Sequence, residues 1–271
     1  MTDQPVSDSP APGPFGPAAA FFDLDRTLIS GSSTFVFGVA AWRSGMLPAG
    51  RFARDAVSAV SFKLRGDLGG ETPLKLRERI LAAIEGIERD ELVGLNATIL
   101  PKLIGRVRPE SRRLVDMHRR MGRATYIVSA SPVELVQPLA TALGMTDGLG
   151  TTAEIVDGRY TGRLSGPFCY GEGKVAVISQ LARWEGFDLD QCYAYSDSVS
   201  DLPMLRAVGH PVVVNPDSQL EREAQRNGWP IVVFNQRTKT VIRRTATGVG
   251  ASALTGASFA AGWHLSASRR S

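Results

Sequence analysis

Histidine and cysteine are scarce in this 271-residue chain. There are three histidines, His118, His210 and His264, and two cysteines, Cys169 and Cys192. Two cysteines supply neither a disulfide framework nor the paired spacing of a zinc site, and the scattered histidines argue against a histidine-based one. Both thiols are expected to pack as small apolar groups in a reducing compartment. The start of the chain lacks the basic residues and apolar run of a secretory signal, which predicts that it is not exported. Residues 1–17 instead hold five prolines among Ser, Asp and Gly, a composition that predicts a disordered tail. The long glycine pattern ending in Lys-Ser or Lys-Thr is also missing, so no nucleotide-type phosphate loop is expected.

Acidic side chains are absent from residues 236–271, which carry six basic ones: Arg237, Lys239, Arg243, Arg244, Arg269 and Arg270. Of 31 basic and 27 acidic residues, 25 and 27 therefore fall in the first 235, a net charge of −2. The high pI belongs to the tail, and the body offers no basic face for nucleic acid. A long apolar run is lacking too. Residues 245–263 match the roughly 20 residues of a membrane span, but only Val249, Leu254, Phe259 and Trp263 there are large and apolar. The tail is expected to be disordered or loosely helical, with weak membrane association through it as the alternative.

The body has what a core needs, since 43% of the chain is hydrophobic. Buried strands are predicted at Ala18–Phe22, Ala124–Val128, Cys192–Tyr195, Val212–Val214 and Ile231–Phe234. A hairpin is predicted around Asp157-Gly158. Helices are predicted at Phe35–Ala41, Arg51–Leu64, Pro73–Ile84, Asp90–Leu100, Pro109–Met121, from Pro132 to about Leu143, at Lys174–Trp184 and at Leu202–Val208. Strand–helix alternation predicts an α/β fold: a Rossmann-like parallel sheet with helices on both faces. The helical block after the first strand predicts a cap. The expected organisation is a core of 18–30 and 105–235, a cap of 31–104, and tails of 1–17 and 236–271.

Four stretches carry chemistry. Phe21-Phe22-Asp23-Leu24-Asp25-Arg26-Thr27 ends a strand with two carboxylates, which alternation along an extended backbone would point to one side. Ligands of open parallel sheets bind at that end of the strands. A carboxylate can attack phosphorus, which makes Asp23 the candidate nucleophile and Asp25 the candidate acid–base. Ser129 closes the second strand ahead of a helix N-terminus, a place that suits phosphate or an ordinary cap. Lys174 lies in the first turn of a helix, where the helix dipole disfavours a cation, which hints at another task. Asp197 and Asp201 follow the Tyr193–Tyr195 strand; with Asp23 they give an oxygen-rich set suited to Mg²⁺, although Asp201 also reads as a helix cap.

Together, Asp23-Leu24-Asp25-Arg26-Thr27, Ser129 after Tyr126-Ile127-Val128, Lys174, and Asp197-Ser198-Val199-Ser200-Asp201 resemble the haloacid dehalogenase superfamily of phosphatases. The helical insertion and the hairpin resemble its phosphoserine phosphatase-like branch. The resemblance spans about residues 18–235. It implies a Mg²⁺-dependent phosphomonoesterase working through an aspartyl-phosphate on a small phosphorylated metabolite. It implies Asp23 as nucleophile and metal ligand, Asp25 as acid–base with its carbonyl on the metal, and Asp197 as the remaining ligand. Thr27, Ser129, Ala130, Lys174, Ser200 and the cap residue Arg79 (or Arg77) would contact phosphate or substrate, with Asp201 supporting Asp197 or Lys174. Three positions depart from the branch. No Glu follows the first motif in Ser30-Gly31-Ser32-Ser33, Ala130-Ser131 replace two glycines, and Ser200 replaces an Asn.

Overall fold

The structure is a computed structural model describing residues 16–46, 77–78, 81–82 and 84–234, with the backbone of 241–243. Its centre is a sheet whose strands are β1 (Ala19–Asp23), β2 (Ala124–Pro132), β3 (Asp147–Thr151), β6 (Tyr193–Ser196), β7 (His210–Val214), β8 (Ile231–Val233) and β9 (Val241–Arg243). They stand in the order β3-β2-β1-β6-β7-β8-β9. Six run parallel, and β9 adds an antiparallel edge to β8. The order reverses beside β1, which feeds β2 on one side and pairs β6 on the other, so the sheet's topological switch falls at Asp23. The separate hairpin pairs β4 (Ala153–Val156) with β5 (Arg159–Leu164). Asp157 and Gly158 both take positive φ in its turn, as the Asp-Gly signal predicts.

Alternation along the strands explains why they read as unbroken apolar runs. Ala20 and Phe22 of β1, with Ile127, Tyr195 and Val214, join one core with α1 (Ser33–Arg43), α3 (Asn96–Ile104) and α5 (Val133–Ala142). Ala19 and Phe21, with Tyr126, Val128 and Val213, join the other with α6 (Glu172–Glu185), α7 (Leu202–Arg206) and α8 (Ser218–Asn227). Phe21, Phe22, Ile127, Leu135 and Leu139 are among the fully buried side chains of these layers, each worth about 1.5–3 kcal/mol. The other α-helices with both ends among the described residues are α2 (Arg89–Gly94) and α4 (Pro109–Arg120). A third cluster, Leu81, Ile84 and Leu92 against Ala153 and Tyr160, ties the segment before α3 to the hairpin.

Three elements lie outside the sequence expectations. β3 is Asp-Gly-Leu-Gly-Thr, whose glycines hide its strand character. A Cβ on Gly148 would meet the Val136 carbonyl group at 2.5 Å and one on Gly150 would meet Val133 Cα at 2.7 Å, so only glycine lets α5 lie so close. The polar helix α8 has Leu220 and Ala224 as its buried residues, too few for a periodic signal, although Asp217 caps its start and Gly228 its end. Strand β9 falls in the stretch read as tail. The helix predicted at Arg51–Leu64 lies outside the described residues, as does most of the one at Pro73–Ile84; Arg77, Glu78, Leu81, Ala82 and Ile84 are helical. Among the described residues no helix is long and apolar enough to cross a membrane.

Candidate active site

Asp23 is the last residue of β1 and continues the alternation of Ala19 and Phe21, so it faces the α6 layer. Lys174, in the first turn of α6, meets it there: Lys174 Nζ lies 2.6 Å from Asp23 Oδ1 and 2.8 Å from Asp201 Oδ2. The Lys174 and Asp201 side chains are each 3% exposed, and that of Asp23 12%. Two glycines place the lysine. Gly171 takes a left-handed turn ahead of the helix, and a side chain on Gly173 would overlap the Phe168 carbonyl. Burial alone would lower the Lys174 pKa, but Asp201 and Asp23 outweigh it and hold the ammonium above its ordinary value. Burial raises Asp23 well above the usual carboxylate range; Lys174 opposes the shift, while Asp201 and Asp197 add to it.

Asp201 occupies the cap position of α7 but makes no side-chain cap bond. Its Oδ2 instead accepts from Lys174 and from the Ser196 hydroxyl at 2.7 Å. The cap reading of this residue is thus corrected: an ammonium and a buried hydroxyl draw the carboxylate away from the helix. Asp197, just past β6, is held by the loop after β1. Arg26 Nε lies 2.8 Å from Asp197 Oδ2, and the Thr27 hydroxyl donates to Oδ1 at 3.3 Å. Burial pushes the Asp197 carboxyl up to about 7, against the pull of Arg26 and with repulsion from Asp201.

Asp25 does not continue the strand. β1 stops at Asp23, Leu24 enters a turn, and Asp25 forms an isolated bridge with Ile29. The extended-strand argument therefore does not place it. Helix α1 does: the Ser33 N–H donates to Asp25 Oδ1 at 2.7 Å and the Ser32 hydroxyl to Oδ2 at 3.5 Å. A carboxylate is favoured at that positive helix end. Burial still lifts the Asp25 pKa, with the Ser33 bonds opposing. Ser33 Oγ and Ser131 Oγ are 2.9 Å apart, joining this loop to the end of β2.

Ser129 is buried near the end of β2, and its hydroxyl accepts the Ser131 N–H at 3.2 Å. The carbonyl of Ala130 accepts from Thr151 at 2.9 Å. Ser200 lies on a tight helical turn at Val199–Asp201, its hydroxyl 3.0 Å from that of Ser198. Asp23, Asp25, Thr27, Lys174, Asp197 and Asp201 are linked by direct bonds or by charge across the sheet edge, and Ser129 lies three residues before the end of the neighbouring strand, which runs on to Pro132. Arg79 lies outside the described residues. Sequence reasoning passed over Arg26, Ser33, Ser196 and Asp217. Asp217 holds the Asp197 turn by donating its N–H to the Asp197 carbonyl at 2.9 Å and accepting the Val199 N–H at 2.8 Å. Of these, Arg26 had a visible signal, a cation between the two acids and Thr27. Cys169 is no rival nucleophile, since burial pushes its thiol up to about 12.

The ammonium clamped between carboxylates thus sits at the switch point of a parallel α/β sheet, where such sheets bind their ligands. Residues 20–206 match the haloacid dehalogenase-like hydrolase family. The chain is 40% identical over 223 residues to a phosphoserine phosphatase of Mycobacterium tuberculosis, covering 80% of this chain and 71% of that one. It is 33% identical over 220 residues to a histidinol-phosphatase of Neisseria meningitidis serogroup C, covering 79% and 98%. A crystal structure of a protein of unknown function from Bordetella pertussis Tohama I superposes with a TM-score of 0.68 at 30% identity, covering 79% and 97%. The chain belongs to the haloacid dehalogenase-like hydrolase family, and within it to the phosphatases.

Proposed function

We propose that this enzyme cleaves the phosphate monoester of a small metabolite in two displacements at Asp23, with Mg²⁺ as cofactor. The observation that carries this reading is the buried Lys174 ammonium held between Asp23 and Asp201 at the C-terminal edge of the sheet. It fixes one oxygen of Asp23 and leaves the other as the attacking atom. That oxygen bonds to phosphorus as the bond from phosphorus to the substrate oxygen breaks, and the departing alkoxide takes the proton of Asp25. Water then attacks the phosphorus of the aspartyl-phosphate, gives a proton back to Asp25, and the bond from phosphorus to Asp23 breaks to release phosphate. The raised Asp25 pKa suits a group that must hold and return a proton. Lys174, the Ser129 hydroxyl, the Ala130 backbone, Thr27 and Ser200 are assigned to the phosphate oxygens, and Arg79 to the rest of the substrate.

The donor set fits the cation. Four carboxylates, those of Asp23, Asp25, Asp197 and Asp201, face two cationic side chains, Lys174 and Arg26, which leaves the edge acidic. Among the described residues no three His, Cys, Asp or Glu side chains converge as ligands. Two carboxylates, Asp23 and Asp197, with the Asp25 carbonyl would hold Mg²⁺, which keeps several waters. When bound, the ion supplies charge neutralisation that lets an anionic nucleophile meet an anionic ester.

The two named relatives act, by their names, on phosphate monoesters of amino alcohols, and we assign this chain the same broad class. The loop Ser30–Ser33 has no acid to pair with an ammonium group; its Ser32 and Ser33 serve Asp25 instead. That observation favours a second reading, an ester without an amine. Within the expected cap of residues 31–104, α1 and α3 pack in the sheet core, and the cap is assigned to the segment of Leu81, Ile84 and Leu92 that packs on the hairpin. The test is phosphate release from an aryl phosphate with Mg²⁺, with EDTA, and from Asp23→Asn, then from phosphoserine, histidinol phosphate and glycerol phosphate. Turnover that needs the metal and Asp23 is expected. Activity surviving both EDTA and the substitution would overturn the mechanism, and preference for glycerol phosphate would select the second reading.

A further inference from the structure

The proposed chemistry gives no task to Arg26, yet both its backbone and its side chain are held in a specific geometry. Its φ is +62°, in the left-handed region that a residue with a Cβ seldom occupies. The conformation is imposed locally: the Arg26 N–H donates to the Gly31 carbonyl at 3.1 Å, and the Asp25–Ile29 bridge closes the turn. The turn throws the side chain back over β6, where Nε reaches Asp197 Oδ2 at 2.8 Å. Thr27 takes Oδ1, so both oxygens of this carboxylate are engaged by the loop after β1.

The two cations of the site differ in one respect that matters. The Lys174 side chain is 3% exposed and held by two acids, so leaving would strand a charge in the core. The Arg26 side chain is 42% exposed and reaches a carboxylate that is 4% exposed from the solvent side. Releasing Oδ2 would leave that charge near the surface instead of in the core. Backbone strain of this kind clusters at active sites, ligand clamps and switch segments.

We propose that Arg26 is a positioning residue that stands on Asp197 in place of the divalent cation and must leave Oδ2 for the ion to bind, so that it sets the site's metal affinity. This rests on the reading of Asp197 as a ligand. Where the competent state is only a fraction of the population, apparent affinity falls by that fraction. A guanidinium occupying Oδ2 nine-tenths of the time or more would weaken binding about tenfold or more on this relation.

The experiment titrates Mg²⁺ into the full chain by calorimetry for the wild type, Arg26→Asn, Arg26→Lys and Asp197→Asn. Asn tolerates the left-handed backbone and removes the charge, whereas Lys keeps the charge without Nε. In parallel, the Arg26 Nε–Hε cross-peak is followed by NMR and assigned by its loss in Arg26→Asn. Tighter binding by about tenfold or more in Arg26→Asn, an intermediate value for Arg26→Lys and a cross-peak that shifts on saturation are expected. General damage to the site would instead weaken binding. Wild-type binding that Asp197→Asn abolishes but Arg26→Asn leaves unchanged or weakens overturns the proposal and spares the ligand assignment. No binding to wild type or Arg26→Asn, or undiminished binding to Asp197→Asn, overturns both. Should Arg26→Asn fail to fold, the wild-type cross-peak, identified among the arginines by Arg26→Lys, decides alone.

Discussion

Replacing Lys174 by Met tests the centre of the site by a route that does not depend on substrate. Met keeps the length of the stem and removes the charge, so packing of the first turn of α6 is largely preserved. What is lost is the partner of two carboxylates, at 2.6 and 2.8 Å, in surroundings where Lys174 and Asp201 are each 3% exposed. Solvent screening is small there, and removing one member of a buried pair costs about 3–5 kcal/mol. Against a total stability of about 5–15 kcal/mol, that is a large share. The cost should depend on pH. Without the ammonium, which opposes its upward shift, Asp23 escapes part of the penalty by taking up a proton on folding. A carboxyl whose pKa is higher folded than unfolded binds more protons in the native state, so it subtracts stability as pH rises above its ordinary value. The deficit of Lys174→Met relative to wild type therefore grows from pH 5 towards pH 8. Its slope is at most about 1.4 kcal/mol per pH unit for this one carboxyl. Urea unfolding at several pH values measures this. Adding Asp201→Asn to Lys174→Met should relieve part of the loss, a coupling of about 0.5–3 kcal/mol, because one stranded charge is gone. A Lys174→Met protein as stable as wild type at pH 8, or with a deficit that does not change with pH, would refute the buried clamp.

Two further predictions follow from the core. His118 is buried on α4; Arg123 can only donate to its Nδ1, so Nε2 carries the proton and donates to the Tyr195 hydroxyl at 2.8 Å. Burial, with a smaller push from Arg123, lowers its pKa from 6.5 to about 3. The unfolded chain then binds one more proton between those values, so this residue contributes stability that is intact above pH 6.5 and is lost as pH falls towards 3. His118→Gln should flatten the acid limb of the urea-derived stability curve by up to about 1.4 kcal/mol per pH unit; a parallel curve would refute it. In β3, Gly148→Ala should cost about 1–3 kcal/mol through the clash with Val136, whereas Ala at Gly158, where a Cβ meets open space, should cost only the strain of its positive φ, about 1 kcal/mol; thermal melting compares the two.

How much of this was legible in the sequence depends on whether the signal was local. The first and fourth motifs could be read because β1 and β6 are buried on both faces, which makes each an unbroken apolar run ending in acids. Strand β3 failed the same test because closeness to α5 forces glycine at alternate positions, and glycine is the residue that strand patterns count against. Asp201 was half-read: its position is a helix cap, but its partner is Lys174, 27 residues away, and no local rule weighs an ammonium against a helix end. The same holds for the Asp23–Lys174 bond across 151 residues. Each pairing follows from the parallel register, which sets β1 beside β6 and lets α6 begin over their shared edge. Local pattern thus supplies the groups, and topology chooses their partners. Arg26 shows the consequence: within Asp23-Leu24-Asp25-Arg26-Thr27 it is one charged residue among three. Only after the sheet brings Asp197 to the same edge does its place next to a buried carboxylate become visible.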